Sequence, residues 1–114
     1  SSGSNSKYLY SASGPFNISD SRLKNVINST IDGLEIINNV NVVKFNYKND
    51  ENQKEHIGFI AQQVYEHIPE SAFTGGEDEK IHPWMMSKES LIPYLTRSIQ
   101  QLSIKVDELE SRLV

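Results

Sequence analysis

A chain of 114 residues with 37% apolar side chains supports one domain with one modest core, and a domain of that size commonly draws further stability from association with copies of itself. The absence of cysteine excludes disulfides, thiolate metal sites and a cysteine nucleophile, which leaves Ser, Thr or Lys for any nucleophilic chemistry. A formal charge of -4 provides no basic footprint for a phosphate backbone, so nucleic acid is not an expected partner. The chain lacks a long apolar stretch and a basic-then-apolar leader, which predicts a soluble protein without a membrane partner.

Residues 1–18 are rich in Ser, Gly and Asn, with Lys7-Tyr8-Leu9-Tyr10 as a strand-like run and Gly14-Pro15 as a turn signal. This segment reads as the end of a preceding structure. From Ser19 the pattern changes, because Leu23, Val26, Ile27, Ile31, Leu34 and Ile37 recur at helical spacing. One or two short helices are predicted, the second with Ser29, Thr30 or Asp32 available as its cap.

The β-branched and aromatic run from Val40 to Tyr47 then closes on the polar cluster Lys48 to Asn52, which predicts a strand and a turn. Ile57 to Ile60 supplies an antiparallel partner at hairpin distance. Ala61 to His67 is predicted helical, ended by Pro69. Gly75 to Lys80 is an expected loop, and Ile81 to Met86 a short strand placed at a sheet edge by Pro83.

The clearest pattern is the last. Ile92, Leu95, Ile99, Leu102, Val106, Leu109 and Leu113 alternate spacings of 3 and 4, the period of a heptad seam with Ile92, Ile99, Val106 and Leu113 at a and the three leucines between them at d. Lys105 at g and Glu110 at the following e are placed to pair between parallel chains. A single amphipathic helix docked on its own domain is the competing reading. Three heptads favour association, although the a and d residues leave the number of strands open.

The chemistry-bearing candidate is Ser19-Asp20-Ser21-Arg22-Leu23-Lys24. A serine hydroxyl needs a base, which a lysine supplies when partly desolvated or set near another cation, a role for which Arg22 is close enough in sequence. Lys24 lies five residues after Ser19 and reaches it only if the chain bends tightly. By pattern alone, Ser19 reads more readily as a helix N-cap, with a dipole-compatible acid beside it, and Lys24 as a solvated side chain than as an active site. His56, His67 and His82 lack ligand spacing, so neither a metal nor a cofactor is expected. Gly58 and Gly75-Gly76 form no phosphate loop. Gln62 and Gln63 are possible oxyanion donors, and Trp84 with Met85 and Met86 suits a core or an interface.

Four segments occur together in a familiar order: Ser19 to Ile27, Val43 to Lys48, Ile57 to Val64, and Ile68-Pro69-Glu70. With the C-terminal heptads, residues 19–114 resemble the intramolecular chaperone domains that close phage endosialidase tailspikes, neck appendage proteins and L-shaped tail fibres, and a similar domain in a membrane-tethered transcription factor. The resemblance implies an α+β fold with a small antiparallel sheet, flanking helices and a long helix, about residues 88–114, in a trimeric coiled coil with the heptad residues at its interface. It implies a chaperone that trimerises, guides a β-rich parent chain into register and then releases itself by cutting between Ile18 and Ser19. Ser19 would be the nucleophile, Lys24 the general base and Asp20 a supporting, positioning residue. Residues 1–18 would be the end of the parent chain, the partners a homotrimer and that parent, and the location the host cytoplasm during virion assembly.

A purely structural trimerisation module and a receptor-binding tip are the alternatives. Spacing does not choose a third catalytic group among His56, His67, Gln62 and Glu70.

Overall fold

The computed structural model describes residues 16–113, so the strand-like run Lys7–Tyr10 and the Gly14-Pro15 turn lie outside the described residues. The chain divides into two compact units between Thr30 and Ile31.

In the first unit, the expected helix from Ser19 shrinks to a single 3-10 turn, Ser21–Leu23, none of whose residues is buried. The chain then runs without helix or strand to Asp32. Two local causes oppose a helix here. Val26 and Ile27 are β-branched and lose side-chain freedom in a helix. The Asn28 carboxamide oxygen accepts hydrogen bonds from both the backbone N–H and the hydroxyl of Thr30, each at 2.9 Å, a local turn that competes with the helical ladder.

The second unit opens with α1, Gly33–Asn38, capped by Asp32, whose carboxylate accepts from the Glu35 N–H at 3.2 Å. Of the three candidate caps, only Asp32 stands three residues before a Glu, the spacing of a capping box. Strands β1, Val43–Phe45, and β2, His56–Gly58, pair antiparallel with Lys44 opposite Ile57. The connecting turn is organised by Asp50, whose two carboxylate oxygens accept from the N–H groups of Asn52 and Lys54 at 3.0 and 3.1 Å.

Helix α2 spans Ala61–His67, as expected, and stops at Ile68, whose extended φ of -134° suits a residue before proline. A 3-10 turn, Pro69–Ser71, leads into β3, Ala72–Phe73. The expected third strand contracts to β4, Met85–Met86, which pairs with β3 in a second two-stranded sheet. Pro83 therefore stands before the strand rather than within its edge. After a 3-10 turn, Lys88–Leu91, the long helix α3 runs from Ile92 to Arg112 with Pro93 in its first turn.

Val64, Ile68 and Leu91 form the buried apolar core of the described residues, with Ile36, Val40, Phe59, Met86 and Tyr94 packed around it. Ser71 is fully buried beside it, its hydroxyl donating to the Ile68 carbonyl at 2.7 Å while its own carbonyl accepts from the Ser87 N–H at 2.7 Å. Those bonds satisfy a polar group that would otherwise be costly to bury. α1 packs on α3 through Gly33, which lies against the Tyr94 carbonyl and the Arg97 side chain. Arg97 Nε donates to the Ile31 carbonyl at 2.9 Å. The Gln101 amide donates to Asp32 at 3.0 Å and accepts from the Leu34 N–H at 2.9 Å.

Candidate active site

Fully extended, the five-residue step from Ser19 to Lys24 would span roughly 17 Å, too far for a lysine side chain to bridge. The 3-10 turn removes that distance. Its first bonds run from the Leu23 N–H to the Asp20 carbonyl at 3.0 Å and from the Lys24 N–H to the Ser21 carbonyl at 3.3 Å. With the chain folded back, Lys24 Nζ donates to Ser19 Oγ at 2.5 Å.

The cap of this turn is Asp20, not Ser19. Its Oδ1 accepts from the Arg22 N–H at 2.9 Å, while Arg22 Nε spans both carboxylate oxygens at 3.1 Å and Nη2 reaches Oδ2 at 2.7 Å. The guanidinium beside it and the capped N–H hold the Asp20 carboxyl below the usual carboxylate range, and the same pairing raises Arg22. The expectation that Arg22 serves as a neighbouring cation for Lys24 is therefore revised, since its donors are directed at Asp20. Asp20 is half-buried, whereas Ile18, Ser19 and Lys24 are exposed.

The four residues left open as a third catalytic group lie in the second unit. Glu70 accepts a hydrogen bond from the Tyr94 hydroxyl, and this carboxylate holds the phenol up at about 12. His56 stacks on the Phe45 ring at 5.5 Å and meets the Tyr47 ring edge-on. His67 closes the last turn of α2. Gln62 lines an open cleft with Phe45, Tyr47, Phe59 and Trp84, and Gln63 accepts from Asn41 at 3.5 Å. Among the described residues no cluster of His, Asp and Glu is suited to a metal, and no helix is long and apolar enough to cross a membrane.

The seam residues of α3 are all exposed in the single chain, from Leu95 at 45% to Leu113 at 86%. The helix does dock on its own unit, but through Tyr94, Arg97 and Gln101, on the side where Ser98 is buried. Intrachain packing and the heptad seam thus use different sides of one helix.

Residues 19–72 match the family described as chaperone of endosialidase. The match starts at Ser19 and covers just under half of the chain, ending before α3. All four motifs singled out in the sequence lie within this matched segment, and the family is one named for peptidases. No curated protein matches the chain.

The pairing of Arg22 with Asp20 is the feature that sequence reasoning missed. An acid two residues before an arginine at the entry to a helical turn is a signal for it, though a weak one, because the same pattern is common on solvated surfaces.

Proposed function

We propose that this chain is the self-releasing chaperone end of a phage fibre or tailspike. It trimerises through the α3 seam, holds three parent chains in register while they fold in the host cell, and then cuts itself between Ile18 and Ser19. The observation that carries this reading is the Lys24–Ser19 hydrogen bond at the first residue of the matched chaperone segment.

The chemistry balances within the chain. Ser19 Oγ forms a bond to the Ile18 carbonyl carbon as Lys24, in its neutral amine form, removes the hydroxyl proton. The Ile18–Ser19 C–N bond breaks, that proton passes to the departing nitrogen, and an ester joins Ile18 to the Ser19 side chain. Water then hydrolyses the ester to release an Ile18 carboxylate and a free Ser19 amine. Both side chains are solvent-exposed in the single chain, and an amine sheds its proton more readily once desolvated. Burial of this site on assembly would therefore couple cleavage to a completed trimer.

Trimerisation also accounts for the apolar surface. The α3 seam is exposed along its length, and bringing three C-termini together raises the local concentration of parent strands whose pairing has high contact order.

The deciding experiment is the intact mass of the chain with its natural upstream segment, beside Ser19→Ala, both under conditions that yield the folded trimer. Loss of the segment ending at Ile18 from wild type alone supports self-cleavage. Full-length product from both would leave a structural trimerisation module.

A further inference from the structure

We infer that Arg22 is a positioning residue of the Ser19 site, acting through Asp20. The inference rests on the cleavage reading above and adds to it a residue that touches neither the scissile bond nor the nucleophile.

Among the described residues, a three-residue 3-10 turn with no buried side chain has little packing to hold it, and an isolated turn is unfavourable because nucleation fixes several dihedrals for few hydrogen bonds. What remains is the cap. Asp20 alone could accept from the Arg22 N–H, but a free carboxylate samples other rotamers and bonds to water. The guanidinium removes that freedom by engaging both oxygens at once, with Nε at 3.1 Å from each and Nη2 at 2.7 Å from Oδ2. The planar fork suits such two-point contact in a way an ammonium does not.

The same residue thus closes a loop on itself: its backbone N–H is the capped donor and its side chain locks the cap. The turn so held brings the Lys24 backbone round to the position from which Nζ meets Ser19 Oγ. Each charge outside this pair that belongs to the same turn is accounted for, since Lys24 is directed at Ser19. Arg22 is itself 86% exposed in its side chain, so its replacement leaves no cavity and spares folding.

The test measures first-order cleavage rates of the full chain with its upstream segment for wild type, Arg22→Ala, Arg22→Lys, Asp20→Ala and the double variant. Arg22→Ala should slow cleavage by about 10- to 100-fold, the scale on which small misplacement of a reacting group acts. Arg22→Lys should recover little, added guanidinium at low millimolar level should restore part of the Arg22→Ala rate, and urea or sodium chloride should not. The double variant should be no slower than Asp20→Ala alone, because both residues act through one cap. An unchanged Arg22→Ala rate, or losses that multiply in the double variant, would overturn the inference.

Amide exchange of Leu23 and Lys24 in Ser19→Ala separates this inference from the cleavage reading. If wild type fails to cut, the cleavage reading falls, while faster exchange in Ser19→Ala/Arg22→Ala than in Ser19→Ala still supports Arg22 as the lock on the turn. Equal exchange in the two would overturn it.

Discussion

Asp32 and Gln101 lie 69 residues apart and are joined by a 3.0 Å hydrogen bond from the Gln101 amide to the carboxylate. That bond helps fix which side of α3 meets α1. The side it selects carries Tyr94, Arg97, Ser98 and Gln101, and the heptad seam is left facing away from the chain's own core.

Replacing Leu102 and Val106 together by Asp should therefore dissociate the proposed trimer without unfolding the second unit. These side chains are 47% and 49% exposed in the single chain, so intrachain packing loses little, while two charges per chain at adjacent d and a layers oppose a coiled coil. Sedimentation velocity reports the mass and circular dichroism the fold. An oligomer that persists would remove the coiled-coil reading.

At the α1–α3 contact, Gly33→Ala tests close approach against helix propensity. Alanine is favoured in a helix by up to about 1 kcal/mol. Yet its Cβ would stand 2.7 Å from the Tyr94 carbonyl oxygen, a backbone atom, and 2.9 Å from Arg97 Cβ. Forcing the helices apart at a packed contact costs about 1–3 kcal/mol, so the melting temperature should fall. A rise would show that α1 is free to shift.

For the cleavage site, Ser19→Ala and Lys24→Ala should each stop release of the upstream segment while the oligomer forms normally. Mass spectrometry of the assembled protein reads the first effect and light scattering the second. Were Ser19 only a cap, its loss would cost about 0.5–2 kcal/mol and leave the product unaltered. Because Asp20 is the residue that caps the turn, Ser19→Ala should have almost no effect on stability.

Two acids set the response to low pH. Asp20 is held below its ordinary 3.8 by Arg22, and Asp32 below its own 3.8 by the Glu35 N–H and Gln101. For a depressed carboxylate the stabilisation is present above the unfolded value and lost as pH falls through the folded one. Both the turn at Ser19 and the α1 cap should therefore survive at pH 5 and weaken below about pH 4, which backbone amide shifts of Arg22 and Glu35 would follow. Loss already at pH 6 would contradict these pairings.

At the alkaline end, Tyr94 is raised from 10.0 to about 12 by its bond to Glu70. A raised group contributes fully below its unfolded value and loses that contribution as pH climbs through the folded one, here between about 10 and 12. Tyr94 should ionise late in a phenolate absorbance titration, and Glu70→Gln should bring it back towards 10. An unchanged titration in that variant would mean that Glu70 is not the cause.

Whatever rests on local spacing is legible along the chain. The heptad seam, the α2 helix with its stop at Pro69, the β1–β2 pairing and the five-residue interval from Ser19 to Lys24 are all periods, propensities or counts along one chain. Tertiary structure decided what depends on partners distant in sequence: which side of α3 is docked, and the pairing of Ala72–Phe73 with Met85–Met86 across a loop. The sequence alone also overextended the first helix, because the apolar spacing of Val26 and Ile27 resembles a helix face while the Asn28 turn and β-branching oppose one. Periodicity records which residues avoid water, but only the assembled contacts, made across tens of residues, determine what each of them is buried against.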